Sequence, residues 1–221
     1  MRLIGVTGGI GTGKSTVTNY LKTRYKLPIW DADVYARLAV TVGSPILQQI
    51  SQRYGMAILQ SDGSLDRRRL GEIVFASVDE RHWLEAQIHP FVRQWFSQEI
   101  ARFKQHLESS STAVLSQERI INAPTKPSPI DNTAILSIPL LFEAGLTDSV
   151  TEIWVVSCDL AVQRQRVADR DRLSEAEVET RINSQMPLAE KIAQADVNLD
   201  NSTTIADLER QIDRAIATKS L

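Results

Sequence analysis

The chain has 221 residues, 43% of them hydrophobic and 24% charged, which excludes wholesale disorder and allows a core without disulfide or metal staples. Lys and Arg total 25 against 27 Asp and Glu, a net charge of −2, so the overall balance argues for neither a nucleic-acid nor a membrane-surface partner. Cys158 is the single cysteine, which excludes an intramolecular disulfide and a cysteine zinc site and suits a reducing compartment. No apolar run approaches the ~20 residues that span a bilayer, and Met1 to Val6 leads straight into a glycine-rich loop with no room for a signal peptide. A cytoplasmic protein is expected.

Arg2 to Thr7 reads as a buried strand, and Lys14 to Arg24 as a helix with Val17, Tyr20 and Leu21 at helical spacing. Leu27 to Trp30 is a second strand candidate. Helices are expected over Val34 to Val40 and Pro45 to Tyr54, a turn at Asp62-Gly63-Ser64, and helices over Leu65 to Phe75 and Asp79 to Leu107. His89-Pro90 is expected to break or kink the last of these. From 107 to 133 the composition turns Ser- and Pro-rich, which reads as a mobile surface insertion with a candidate strand at Ala113 to Leu115.

Ala134 to Phe142 and Thr151 to Ser157 are the next strands, and their near-continuous apolar runs suit a sheet covered on both faces. Asp159 is placed to cap a helix reaching Arg170, and Ser174 with Glu177 forms a capping-box pattern before another. Asp196 to Asp200 is a short fifth strand, and Thr204 to Thr218 a terminal amphipathic helix. Strand-helix alternation predicts an α/β fold with a mostly parallel sheet.

The sharpest motif is Gly8-Gly9-Ile10-Gly11-Thr12-Gly13-Lys14-Ser15, which fits G-x-x-x-x-G-K-[ST] between a strand and a helix. Glycines let successive backbone N–H groups turn inward toward phosphate oxygens, and the helix N-terminus adds its own. Lys14 supplies a cation for the β- and γ-phosphates, and the Ser15 hydroxyl a ligand for Mg²⁺. No Asn-Lys-x-Asp base-reading motif of a GTPase is present. The strand from Ala134 lacks the aliphatic run ending in Asp that a motor ATPase shows.

Two further clusters bear on the chemistry. Asp31-Ala32-Asp33 follows the second strand, at the sheet edge where the phosphate loop also ends. Both carboxylates face one side if the segment stays extended, and either serves a γ-phosphate site or a helix cap. Arg164, Arg166, Arg170, Arg172 and Arg181 surround a joint between two helices, either to cover a transferring phosphoryl group or to pair with Asp169, Asp171, Glu175 and Glu177 on the surface.

Taken in order, these segments resemble the dephospho-coenzyme A kinase family over roughly Leu3 to Leu208. The matching pieces are the phosphate loop through Thr16, Asp31-Ala32-Asp33 with Ala36-Arg37, Asp62-Gly63-Ser64-Leu65-Asp66-Arg67, His89-Pro90 and Pro139-Leu140-Leu141-Phe142-Glu143. Gln163 with Arg166 and Arg170-Asp171, Arg181-Ile182 with Gln185-Met186-Pro187, Lys191, and Ala195-Asp196 leading to Asn201 complete the set. The resemblance implies a P-loop NTPase-type core of five parallel strands flanked by helices (1–33, 134–160 and 192–221). It also implies an acceptor-binding helical segment (34–106), a variable insertion (107–133) and a lid (161–191).

The implied reaction moves the γ-phosphoryl of ATP to the ribose 3′-hydroxyl of dephospho-coenzyme A with Mg²⁺. Asp33, Lys14, Arg166 and Arg170 are the implied catalytic residues. Gly9, Gly11, Thr12, Gly13, Lys14, Ser15, Thr16 and Asn201 would hold ATP, with Asn201 near adenine unless it is only a turn residue. Arg67, His89, Pro139 and Glu143 join Asp33 at the acceptor, with a satisfied histidine at the kink as the alternative for His89. Ser15 and Asp33 are the expected metal contacts. Two departures stand out: the 107–133 stretch is longer than the family's, and Ser157 stands where the family ends its fourth strand with Asp. The rival readings are another P-loop small-molecule kinase and a nucleotide-binding module without turnover.

Overall fold

The computed structural model describes residues 1–117, 130 and 132–218. The chain divides into two compact units, one formed by Met1–Trp30 with Leu107–Leu221 and the other by Asp31–His106.

The first unit is built on β1 (Arg2–Gly8), β3 (Thr133–Ser137), β4 (Glu152–Ser157) and β5 (Val197–Asp200), and the sheet order is β2-β3-β1-β4-β5 with β2 at Ile29–Asp31. The pairings of β1 with β3, β1 with β4 and β4 with β5 are all parallel. The central strands are buried along nearly their whole length, which is why they read as apolar runs rather than alternating ones. On one face, Ile4, Val6, Trp154 and Val156 pack with Val17 and Leu21 of α1 (Lys14–Tyr25) and with Leu208, Ile212 and Ile216 of α9 (Ile205–Thr218). The α9 residues recur every fourth position, one stripe of the helix.

Several buried polar groups in this unit are paired. The Glu152 carboxylate accepts from Arg2 Nε at 2.9 Å and from Trp154 Nε1 at 2.8 Å. Tyr20 and Tyr25 both donate to Asp213 Oδ1, at 2.9 and 2.7 Å, tying α1 to α9. Burial, then the Asp213 carboxylate, pushes the Tyr25 hydroxyl up to about 12.

Strand β3 ends at Ser137 rather than running to Phe142 as expected. Pro139 has no N–H to continue a ladder, and the chain closes turns instead, with Ala144 N donating to Leu140 O and Leu146 N to Leu141 O. After β4 come α6 (Leu160–Asp171), α7 (Glu175–Asn183) and the short α8 (Leu188–Ala193), the last not foreseen. The Ser174–Glu177 capping box is formed, with Ser174 N donating to Glu177 Oε2 at 2.9 Å. Asp159 occupies the cap position of α6 but makes no side-chain capping bond.

The second unit holds α2 (Ala32–Ala39), α3 (Pro45–Tyr54), α4 (Arg67–Ala76) and most of α5 (Val78–Gln117). Ala39, Val40, Leu47, Ile50, Ile58, Leu65 and Leu70 form its core, with Trp83, Leu84, Ile88 and Phe91 packed against them. Tyr35 stacks on Trp95 with ring centroids 5.3 Å apart, joining α2 to α5. Pro90 lies inside α5 without ending it; lacking an N–H, it leaves the Ala86 carbonyl without a helical donor, yet Trp83, Leu84, Ile88 and Phe91 stay partly buried against the unit's core. The candidate strand at Ala113 to Leu115 is instead part of α5. The rest of the expected insertion lies largely outside the described residues. Among the described residues, no helix is long and apolar enough to cross a membrane.

Glu80, at the start of α5, accepts from Arg53 Nε at 2.7 Å and from the Tyr54 hydroxyl at 2.7 Å. The Arg53 bond, then the Tyr54 bond, holds the Glu80 carboxyl from 4.5 down to about 2. A depressed carboxyl stabilises the fold above its unfolded value and loses that contribution as pH falls to the folded one. Wild type should therefore melt above Glu80→Gln near neutral pH, and the gap should close between pH 4.5 and about 2. Thermal melts across that range check this; a constant gap would assign the pair no titrating role.

Candidate active site

The phosphate loop follows β1 and opens α1, with Gly13 at the helix cap in a left-handed conformation (φ 97°). Thr12 is fully buried, and its N–H and hydroxyl both donate to Gly9 O, at 3.2 and 2.9 Å. That turn holds the loop's own carbonyl chemistry closed. By contrast, the N–H groups of Gly11, Gly13 and Ser15 have no acceptor among the described residues. Unsatisfied donors clustered at a helix N-terminus make a seat for phosphate oxygens.

Distant segments fix the loop from outside. Asn201, buried at the end of β5, donates from Nδ2 to Thr12 O at 2.8 Å. Gln163 of α6 donates from Nε2 to Ile10 O at 2.8 Å, and Ile10 N donates to Gln185 Oε1 at 2.8 Å. Lys14 Nζ donates to Ser137 Oγ at 2.5 Å, across from the carboxyl end of β3. Ser137 and these glutamines had no role assigned from sequence, although both glutamines sit in the matched motifs. One local signal exists for Gln163: it is 3% exposed and four residues from the buried Val167, so it occupies an apolar register on a charged helix.

The arginines part company. Arg166 donates from Nη2 to Asn201 O at 3.1 Å, and its buried Nη1 has no hydrogen-bond partner. A buried guanidinium nitrogen without an acceptor is costly unless an anionic ligand supplies one. Burial raises the Cys158 thiol, and nearby Arg166 opposes that rise. Arg170, four residues on, instead makes a bidentate pair with Asp171 (2.8 and 2.9 Å), which also accepts from Arg181 at 3.1 Å. Arg170 first, then Arg181, holds the Asp171 carboxyl below its usual range.

The residues after β3 are engaged internally. Pro139 O accepts from Thr7 Oγ1 at 3.0 Å. Glu143 accepts from Met186 N at 3.0 Å and makes an ion pair with Lys191, which is fully buried, at 2.7 Å. Ser157, in place of the family's Asp, is buried at the end of β4, and its carbonyl accepts from Asn201 N at 2.8 Å.

In the second unit, Asp31 is the cap of α2: its Oδ1 accepts from Asp33 N at 2.8 Å. The two aspartates therefore do not share one side of an extended strand, because the helix begins at Ala32, two residues earlier than expected. Asp33 stands exposed in the first turn. Arg67 opens α4 behind its cap Asp66. His89 lies half-buried on α5, where burial lowers its pKa, Glu85 raises it and Arg93 lowers it.

A divalent cation fits the first unit only as one shared with phosphates. No cluster of three or more His, Cys, Asp or Glu able to hold a metal occurs among the described residues. The exposed Ser15 hydroxyl beside the open loop amides suits Mg²⁺, which keeps waters and substrate phosphates among its ligands.

The family model for dephospho-CoA kinase matches residues 2–123 and 115–207. A dephospho-CoA kinase from Synechocystis sp. is 54% identical over 214 residues, covering 97% of this chain and 94% of that protein. One from Trichormus variabilis is 49% identical over 215 residues, covering 97% and 96%. Among solved structures, TT1252 from Thermus thermophilus superposes with a TM-score of 0.74 at 31% identity, covering 100% of this chain and 98% of that one. The dephospho-CoA kinase of Campylobacter jejuni gives 0.63 at 25% identity, covering 100% and 98%. A shikimate kinase from Bacteroides thetaiotaomicron, at 14% identity and a TM-score of 0.51, shares the fold.

The crowding around Gly13 yields a test. A Cβ there would overlap Asn201 Nδ2, and the left-handed backbone alone costs an L-residue about 1–2 kcal/mol. Gly13→Ala should weaken ATP binding about tenfold or more and lower the melting temperature by about 2–8 °C. Titration calorimetry reads the outcome; wild-type affinity would mean that the loop tolerates a side chain and is not the phosphate seat.

Proposed function

The chain belongs to the dephospho-CoA kinase family, and from that premise we propose that it moves the γ-phosphoryl of ATP to the ribose 3′-hydroxyl of dephospho-CoA, yielding coenzyme A and ADP. The observation that carries the ATP half is the loop with open amides at Gly11, Gly13 and Ser15 beside Lys14. ATP with dephospho-CoA should give coenzyme A, detected by mass spectrometry; its absence would defeat the reading.

In the proposed reaction the acceptor 3′-oxygen bonds to the γ-phosphorus as the bond to the β,γ-bridging oxygen breaks, and ADP leaves. Asp33 orients the hydroxyl and takes its proton, then returns it to solvent. Lys14 and the loop amides hold the β- and γ-phosphates. Mg²⁺, held by the Ser15 hydroxyl, would neutralise charge on those phosphates when bound. The orphan Nη1 of Arg166 supports a phosphate contact for that residue, while Asn201, Gln163 and Gln185 act as positioning residues that keep the loop in shape. Pro139 and Glu143 serve the acceptor side through the turn they build. We further propose cytoplasmic residence, since a lone cysteine needs no oxidising compartment.

Supporting Asp33 as the base is the assignment of the cap to Asp31. Asp33→Asn should lower single-turnover transfer by about 10²–10⁴ while ATP binding by calorimetry persists. Asp31→Asn keeps a cap acceptor and should cost little, because Asn and Asp cap about equally well. Near-normal transfer in Asp33→Asn would remove the base assignment.

Arg170 has to leave Asp171 before it can meet a phosphate, and an exposed pair of this kind contributes little to folding, about 0–1 kcal/mol. Arg170→Ala should thus lower turnover more than melting temperature. An unchanged rate would make the Arg170–Asp171–Arg181 cluster a surface network alone.

A further inference from the structure

Ser137 is a polar residue in an apolar place. It closes β3, is fully buried, and stands between Leu136 and Ile138, which are buried as well. A hydroxyl there costs free energy unless it is hydrogen-bonded, and an apolar side chain would serve the strand better. The position of the strand does not call for it either. The backbone ladder sets Ser137 level with Val6 of β1, and Ile138 N donates to Val6 O at 3.0 Å. What the hydroxyl does is accept from Lys14 Nζ at 2.5 Å.

An ammonium carries three N–H donors. One directed at Ser137 leaves two for phosphate oxygens and stops the rotation that would scatter them. A lysine side chain loses much rotamer freedom when it is fixed, and a ligand that has to order a free one binds less tightly. The neutrality of the acceptor matters too. A carboxylate at the end of β3 would draw the ammonium to itself, because the attraction of opposite charges adds to the hydrogen bond. It would then compete with the phosphates. The strand ends without such a carboxylate, and a hydroxyl orients the ammonium while leaving its charge for the ligand. We infer that Ser137 is a positioning residue for Lys14, holding the ammonium aimed at the β- and γ-phosphates before ATP arrives and staying bonded to it in the complex. This rests on the reading of Lys14 as the cation for those phosphates. The consequence is that part of the affinity for ATP comes from a buried side chain on another strand that never touches the nucleotide.

The test is calorimetric titration of the full chain with ATP in the presence of Mg²⁺. In Ser137→Ala, Kd for ATP should rise about 2–10-fold, the cost of ordering one free lysine side chain on binding. Melting temperature should change little, since Lys14 is only half-buried and its ammonium can return to water. Ser137→Cys fills nearly the same space with a weak sulfur acceptor and should lose as much affinity as Ser137→Ala. In a Lys14→Ala background the further change Ser137→Ala should leave Kd where it is, because the hydroxyl acts only through the ammonium. Wild-type affinity in Ser137→Ala would overturn the inference. So would wild-type affinity in Ser137→Cys, which would make the role one of packing, or an equal loss with and without Lys14. Should Ser137→Ala melt early, Ser137→Cys keeps the volume and decides by the same reading of Kd. Lys14→Ala protein that binds ATP as wild type does would instead defeat the reading of Lys14, a separate outcome.

Discussion

A phosphate loop works only if its backbone donors are left without protein acceptors, and the rest of this structure answers that constraint. Open amides are unstable company: a flexible loop would turn them to water or to its own carbonyls. Here Thr12 closes the loop's internal turn, Asn201 and Gln163 take the Thr12 and Ile10 carbonyls, and Gln185 occupies the Ile10 N–H. Each clamp comes from a different segment, so the loop is held by the sheet's end, by α6 and by the residues before α8. What remains pointing nowhere else is the set of amides that a phosphate can use.

The same logic separates residues that look alike. Asp31 and Asp33 are two carboxylates in three residues, yet one is committed to capping α2 and the other stands in the first turn of that helix. Arg166 and Arg170 share a helix face, but Asp171 captures Arg170 in a bidentate pair while Arg166 reaches Asn201 O and keeps a buried nitrogen open. In each pair a local hydrogen-bond partner one or two residues away, the Asp33 N–H for Asp31 and the Asp171 carboxylate for Arg170, engages one group, since closing so short a loop costs little entropy.

The ion pair of the buried Lys191 with the exposed Glu143 joins the residues after β3 to α8. Burying the Lys191 charge is expensive unless a carboxylate meets it, and Glu143 does so from the solvent side. It fixes where Met186 and Gln185 stand, since Met186 N also donates to Glu143. Glu143, expected at the acceptor, thereby helps hold the segment that carries Gln185 to the loop.

The sequence by itself determined what depends on neighbours along the chain. Gly8 to Ser15 spells a phosphate loop because glycine spacing and a following helix create the cradle locally. The apolar runs of β1 and β4 announce a covered parallel sheet, and Ser174 with Glu177 announces a helix start. Only the tertiary structure decided the partners at long range. The order β2-β3-β1-β4-β5 sets Ser137 across from Lys14 and brings Asn201, 189 residues away, to Thr12. No propensity of Ser137, Gln163 or Gln185 encodes those bonds. Strand β3 stops at Ser137, α5 runs through Pro90 and takes in Ala113 to Leu115, and Asp31 becomes a cap for a related reason. At each of these points local preferences lie within a few kcal/mol of one another, and packing and available hydrogen-bond partners, which exist only once the chain has folded, decide between them.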